Sequence, residues 1–531
     1  MRHTIWLITL AICCGTVQAQ VDSLLKRWDR LNTPGAAVAV IQNGQVVHKR
    51  GYGQASLEHH IPVTPTTVFD AASVSKQFTA YAVAMLAHAN KLSLDDNIRT
   101  HLPAMPDWGE TITIRHLIHH TGGLRDWPGM LAMAGRSMED VISFEEIITM
   151  ARHQTALNFA PGEQYSYSNT GYALLALIVE RVAGMSFREY TDRYIFRPLG
   201  MLHTWFQDDH EEQVMNRAYG YTFAEGAYRR VGNGLMGLGS SSLHTTLDNL
   251  ILWTLNFMSR QIGSDAVHAL MEQPGTLNSG STTTYAFGQV VGSYRGLRTV
   301  SHSGSWAGFR SMLLRIPEHD FSVILLSNTA DISAPELVYR IADAYLDLEP
   351  AAQPAQTIAH ADIDPGAYTG TYDANSALII RLAHSDSLLQ AHLPAAPPVV
   401  LQPIGADSFF VPAWNIPVSF SRNTEGTVTH MAALGQSLVR ETPPADIHLQ
   451  PYAGGYYSME LKVNYSLLVR NNALIAVGPR GDEFTLIPAK EDVFVTDRWY
   501  MPVVRFMRDA DDRLTHFEAS NGRSLGVEFR R

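Results

Sequence analysis

Hydrophobic and polar positions divide this chain into two textures. In the first, Ala36 to Ile41 is almost wholly apolar and Gln45 to Lys49 follows it across Asn43-Gly44, which predicts a β-hairpin. Good helix formers then run from Gln77 to Ala87, so a helix should open near Ser73. Ile112–His120 predicts a helix ended by the glycines of Thr121-Gly-Gly123, and Gly171–Gly184 a strongly apolar one. Thr245 or Thr246 is the expected cap of a helix through Trp253. Strand character returns at Leu297–His302, Phe309–Ile316 and Phe321–Leu326, the last two flanking a turn at Pro317-Glu-His-Asp320, and a helix should cover Ala334–Leu346. Strands at both ends with helices between them predict an α/β (α+β) domain whose antiparallel sheet is closed by its own two termini.

The second texture starts after the Ala/Pro/Gln-rich stretch Glu349–Gln356 and consists of short alternating strands separated by turns. It repeats. Tyr368-Thr-Gly-Thr-Tyr372 returns as Tyr452-Ala-Gly-Gly-Tyr456, Leu401-Gln-Pro403 as Leu486-Ile-Pro488, Pro417-Val as Pro502-Val, and Thr429-His430 as Thr515-His516, at offsets of 84 to 86 residues. A constant offset predicts two copies of one small all-β, barrel-like unit. The expected organisation is therefore residues 20–349 as one domain, a linker at 350–358, and β repeats at 359–445 and 446–531.

A length of 531 residues exceeds one hydrophobic core, in agreement with several domains. Met1-Arg2, the apolar run Ile5–Ile12 and Val17-Gln-Ala19 have the form of a secretory signal, so residues 1–19 should be removed after Ala19 and the protein exported to the periplasm or beyond. Both cysteines, Cys13 and Cys14, go with that segment, which leaves no cysteine chemistry. A net charge of −11 argues against a nucleic-acid partner. No later stretch is apolar and long enough to span a membrane.

Ser73 and Lys76 stand three apart at the mouth of the first helix, so one turn puts hydroxyl and amine on the same face. A serine hydroxyl needs a base, and a lysine can serve if its surroundings lower its pKa. Ser-x-x-Lys alone is common: Ser23-Leu-Leu-Lys26 is a second copy, in a pattern that reads as an ordinary amphipathic helix. What singles out Ser73 is the rest of the chain. Tyr167-Ser-Asn169 precedes the apolar helix and offers a phenol to share a proton and an amide to orient an amine or bind a carbonyl. His302-Ser303-Gly304 ends a strand, where a glycine lets substrate lie along the edge and the backbone N–H of Ser305 can meet an oxyanion.

These three pieces in this order resemble the serine penicillin-recognising family of class C β-lactamases, D-alanyl-D-alanine carboxypeptidases, D-aminopeptidases and esterases. The likeness covers about residues 25 to 347 and extends to Phe69-Asp-Ala-Ala-Ser-Val-Ser-Lys76, Leu92-Ser-Leu-Asp-Asp96, Ile114-Arg-His-Leu117, His120-Thr-Gly-Gly-Leu124 and Pro161-Gly162. It implies a penicillin-recognising fold with an inserted all-α region. It also implies that Ser73 is acylated and that Lys76 and Tyr167 manage its proton, with the choice of base left open. Asn169, His302, Ser303 and Gly304 would bind substrate, and the backbone N–H groups of Ser73 and Ser305 would form the oxyanion hole. Trp306 follows the proposed oxyanion residue, where a large ring suits either a pocket wall or a packing role under the loop. Family members that bind penicillin usually carry Lys-Thr-Gly where this chain has His302-Ser303-Gly304; a largely neutral histidine weakens the anchor for a substrate carboxylate. The two-repeat tail resembles the plan of the family's D-aminopeptidases.

The expectation is an exported serine hydrolase acting on small peptides or amides, with a D-residue as the preferred substrate feature and no metal or organic cofactor. A carboxylesterase with weak or no β-lactamase activity is one alternative; a slow-turnover penicillin-binding or cell-wall-binding protein is the other. His116, His119 and His120 lack the companions of a zinc motif, Asp509–Asp512 lacks the rest of a calcium loop, and Gly232–Gly239 reads as a flexible loop.

Overall fold

The structure is a computed structural model that describes residues 18–346, 348, 363–374, 378–385, 388–392, 398–411, 416–433, 436–441 and 447–531. Nearly all of the expected signal segment and the expected linker at 350–358 lie outside the described residues. The chain divides into two compact units, Met1–Leu124 with Met138–Arg152 and Phe159–Pro350, and Arg125–Ser137 with His153–Asn158 and Ala351–Arg531.

The first unit is built on a six-stranded antiparallel sheet. In chain order its principal elements are β1 (Ala36–Gln42), β2 (Gln45–Tyr52), α1 (Ser75–His88), α2 (Ile114–Ile118), α3 (Asn169–Ala183) and α4 (Leu247–Ser259). There follow β3 (Val290–Tyr294), β4 (Leu297–Trp306), β5 (Phe309–Ile316), β6 (Phe321–Ser327) and α5 (Ala334–Leu346). The strand order is β3-β4-β5-β6-β1-β2, with Ala36 opposite Ser327 and Gln42 opposite Phe321, so the two ends of the unit do meet in the sheet centre. β1 is apolar along its length because both faces are covered. Val38 and Val40 join Leu325, Leu337 and Ile341 in one core, to which Val21, Leu25 and Trp28 also belong. That packing disposes of the second Ser-x-x-Lys: Val21 and Leu25 face the core, while Ser23 and Lys26 point to solvent.

α1 is buried on nearly every side, and α3 packs beside it. The helix expected over Ile112–His120 is shorter, because Thr113 caps it by accepting from the His116 N–H and His120 turns to φ +59°. β4, expected to stop at His302, continues through Trp306.

The second unit holds two closed barrels of eight antiparallel strands each, running from Gly370–Ala374 to Gln436–Glu441 and from Gly454–Ser458 to Ser524–Arg530. Their repetition extends to interactions. Tyr368 donates to Asp407, which also pairs with Arg422, and Tyr452 donates to Asp492, which pairs with Arg508. Within this unit Lys490 joins the barrels by bonds of 2.7 Å to Asp373 and 2.8 Å to Glu441.

Residues 125–137 and 153–158 fall inside the range expected as one domain, yet they group with the barrels. The reason is a buried cation. Arg125 pairs with Glu460, and its other guanidinium nitrogens donate to the carbonyls of Leu525 (3.0 Å) and Gly526 (2.9 Å). Thr155 donates to the same Glu460 at 3.2 Å, and Tyr465 donates to the carbonyl of Met133 at the end of helix Trp127–Met133. An arginine 3% exposed is tolerable only with such partners. Asp509 accepts from the N–H groups of Asp511 and Arg513 and shapes a hairpin turn.

Candidate active site

Ser73 lies in a short 3₁₀ turn, Ala72–Val74, that leads directly into α1. The three-residue spacing across the join of turn and helix puts Lys76 and Ser73 on one face. Lys76 is fully buried, and its Nζ lies 3.2 Å from Ser73 Oγ, 2.7 Å from Asn169 Oδ1 and 2.7 Å from the carbonyl oxygen of Ser240. Two of these neighbours can only accept. A neutral amine would give its two N–H groups to Asn169 and Ser240 and leave its lone pair facing the Ser73 hydroxyl; an ammonium would donate to all three. The geometry therefore serves both proton states, as a group that takes and returns a proton must.

Asn169 is the first residue of α3, and Ser168 caps that helix by accepting from the Gly171 N–H at 3.3 Å. Tyr167 stands just before it, with its ring centroid 4.8 Å from Lys76 Nζ. The segment is held by the loop after α2. Ser168 N donates to His120 Nδ1 (3.1 Å), Ser166 N to His120 O (2.9 Å) and Gly162 N to Thr121 O (2.8 Å). The His120 ring packs 4.3 Å from both Tyr167 and Tyr285, centroid to centroid.

His302 sits on β4 with its Nδ1 2.6 Å from the carbonyl of Ser303 and its Nε2 2.9 Å from Tyr285 Oη. A carbonyl only accepts, so Nδ1 carries the proton and Nε2 accepts from the Tyr285 hydroxyl. Burial, with the charge of Lys76, pushes the pKa of His302 down to about 3, so the ring is neutral at ordinary pH. Both its nitrogens are engaged within the protein.

Ser303 and Ser305 are exposed, Gly304 is buried between them, and Trp306 is half-exposed opposite Phe309. Packing supplies a reason of its own for a glycine at 304. A Cβ there would lie 2.2 Å from Ser311 Oγ and 2.4 Å from the carbonyl oxygen of Ala71, so the residue lets β4 approach the serine turn itself. Past Ser301, β4 pairs with β5 alone among the described residues, leaving the His302–Trp306 edge without a strand on its other side.

The Beta-lactamase family profile matches residues 21–346. The chain belongs to the β-lactamase family. Among curated relatives, Penicillin-binding protein 4* of Bacillus subtilis (strain 168) is 28% identical over 408 residues, 72% of this chain and 89% of that protein. A D-aminopeptidase of Brucella canis is 24% identical over 530 residues, 94% of this chain and 96% of its own. The octameric penicillin-binding protein homologue from Pyrococcus abyssi matches in structure with a TM-score of 0.59 at 21% identity, over 88% of this chain and 99% of that one. This β-lactamase-family protein is accordingly a serine hydrolase, with a penicillin-recognising domain followed by two barrels.

Four parts of the site had no sequence-level prediction. Ser240 contributes a backbone carbonyl, which leaves no mark on residue type. Tyr285 and Tyr172 are fully buried aromatics in the wall, and only the spacing of Tyr172 three residues after Asn169 hinted at it. His120 supports Tyr167. It is one of three histidines that serve separate ends: His116 completes the α2 capping box, and His119 donates to the carbonyl of Tyr285 at 3.0 Å. The stretch expected as a flexible glycine loop is exposed at Gly232 and half-buried at Asn233 and Gly234, but turns inward from there: Leu235, Met236 and Leu238 are all buried. No single helix among the described residues is long and apolar enough to cross a membrane.

Proposed function

We propose that this protein is an exported hydrolase of small peptides or amides, with a D-residue as the preferred feature, that works through an acyl-Ser73 intermediate. The observation that carries the chemistry is Lys76 Nζ at 3.2 Å from Ser73 Oγ, with Asn169 and Ser240 fixing its remaining hydrogens. Ser73 Oγ attacks the substrate carbonyl while its proton passes to the Lys76–Tyr167 pair, and the N–H groups of Ser73 and Ser305 receive the oxyanion. The same pair protonates the departing amine. Water then cleaves the acyl ester with the proton path reversed.

The substrate class rests on His302. A neutral ring with both nitrogens engaged offers no charge to a carboxylate, which favours substrates that present none at that place. Similarity to D-aminopeptidases over nearly the whole chain, tail included, points the same way. Export is supported by the pattern of residues 1–19.

A fluorophosphonate is expected to label the wild-type protein and not Ser73→Ala. The substrate reading is tested by one rate panel: D- and L-amino-acid anilides, a D-Ala-D-Ala peptide, short and long acyl esters, and a chromogenic cephalosporin. The highest kcat/KM is expected for a D-amino-acid anilide. Highest rates on esters would replace the amide reading with a carboxylesterase, and highest rates on the cephalosporin would make this a β-lactamase. Acylation without turnover of any member would leave a binding protein.

A further inference from the structure

Under the serine turn lies a buried polar chain that the acylation steps do not use. Ala72 has φ +47°, a left-handed conformation that a residue with a Cβ adopts only when its surroundings enforce it. The enforcing group is Asp70. Its Oδ1 accepts the Ala72 N–H at 2.8 Å, and its Oδ2 accepts from Asn233 Nδ2 at 2.9 Å. Asp70 is 1% exposed, so no substrate reaches it.

Asn233, half-buried, belongs to the glycine-rich segment, and that segment goes on to serve the other half of the catalytic pair. Ser240 accepts from Lys76, Ser242 Oγ accepts from the Gly237 N–H and donates to the Leu235 carbonyl, and Leu243 N donates to Ser75 Oγ at 3.1 Å. One stretch of chain thus braces the nucleophile turn through Asp70 and the lysine through Ser240. Phe69–Asp70 is itself paired with Leu243–Thr245, which closes the bracket.

We propose that Asp70, supported by Asn233, is a positioning residue that fixes the backbone of Ala72–Ser73 and so aims the Ser73 N–H at the developing oxyanion. The proposal rests on the reading of Ser73 as nucleophile with its N–H in the oxyanion hole. A carboxylate suits the position because it must accept from two donors at once, one on each oxygen. Rotation of the 71–73 peptides would turn the Ser73 N–H away without moving any substrate-binding side chain, so the effect falls on the transition state rather than on substrate affinity.

The discriminating measurement is the ratio of kcat/KM for an ester to that for its thionoester, per titrated active site. Sulfur is a poor fit for hydrogen-bond donors spaced for oxygen, so an intact hole favours the ester and a misaimed one loses that preference. In Asp70→Ala, ester kcat/KM is expected to fall toward the roughly 10²-fold or larger loss seen when one oxyanion donor is removed, with KM nearly constant and the ester/thionoester ratio reduced at least about tenfold. Asp70→Asn keeps an oxygen for the Ala72 N–H and should hold the ratio within about threefold. Asn233→Ala should fall between. An unchanged ratio in Asp70→Ala overturns the proposal whatever the total activity, and should that variant fail to fold, an unchanged ratio in Asn233→Ala does so. Fluorophosphonate labelling of Ser73→Ala run alongside separates the two claims: labelling there would refute Ser73 as nucleophile, independently of the ratios.

Discussion

Gly304→Ala tests whether β4 and the serine turn are one mechanical unit. The added Cβ would sit 2.2 Å from Ser311 Oγ and 2.4 Å from Ala71 O, roughly 1 Å or more inside ordinary van der Waals contact. Ser311 can rotate, but it would then give up its 2.7 Å bond to Ala71 O, a loss of about 0.5–1.5 kcal/mol. Ala71 O is backbone and cannot rotate away. Either β4 or the turn must move by about 1 Å, and overpacking of this kind costs about 1–3 kcal/mol of stability. Because Ala71 stands two residues before Ser73, the displacement reaches the nucleophile, where about 1 Å of misplacement can cost roughly 10²-fold. The assay is kcat/KM on a nitrophenyl ester, normalised to sites titrated by fluorophosphonate, with a melting curve on the same sample. A lowered melting point with kcat/KM per site within about threefold of wild type would show that the strand and the nucleophile move independently, and the reasoning would be wrong.

Lys76→Ala and Tyr167→Phe are each expected to slow acylation of an ester by about 10² or more without unfolding the protein, measured by stopped-flow burst and circular dichroism; near-normal burst rates in either would remove that residue from proton transfer. Stability should fall in acid. Burial holds His302 to about 3 and His119 and His244 to about 4, so between pH 6.5 and about 4 the unfolded chain takes up protons that the folded one refuses. Each contributes up to about 1.4 kcal/mol per pH unit, lost as pH falls, and urea midpoints across this range should decline; a flat profile would contradict the burial of these rings. Glu460→Leu leaves the Arg125 charge buried, which should destabilise the barrel unit by about 3–5 kcal/mol by limited proteolysis, and Arg125→Met with Glu460→Leu should restore much of it. A double variant no better than the single one would mean that the carbonyls of Leu525 and Gly526, not the pairing, hold the arginine there.

What could be read from the sequence divides along a physical line. Elements whose partners are close in the chain were legible: the hairpin at Asn43-Gly44, the Thr246 cap, the turn before Phe321. So were the two barrels, because a repeat announces itself without any knowledge of contacts. Ser73, Lys76, Tyr167 and Asn169, which the structure brings together, could be picked out because side-chain chemistry names them as candidates. The hidden parts act through backbone or through distance. Ser240 contributes a carbonyl that any residue could carry, Asp70 acts on a neighbour's N–H, and Gly304 is required by Ala71, more than two hundred residues earlier. The glycines at 232–239 were misread for a related reason: glycine signals permission for tight backbone, and the same permission serves a mobile loop or a buried brace. Only the packing of Leu235 and Leu238 distinguishes the two.

The same accounting bears on substrate choice. A cation that binds a substrate carboxylate must have a donor to spare, and the site's inner groups have allocated theirs. Lys76 is committed to Ser73, Asn169 and Ser240, and His302 gives its proton to Ser303 O while receiving one from Tyr285. A carboxylate placed against His302 would surrender its water and gain no charged donor in return, a net cost of several kcal/mol. An uncharged amide or ester end incurs no such cost. Under the proposed function, discrimination against a terminal carboxylate is the expected consequence of hydrogen bonds already made inside the wall. Tyr285 fixes that arrangement, since its hydroxyl donates to Nε2 and so keeps the one proton of the neutral ring on Nδ1, aimed at Ser303 O.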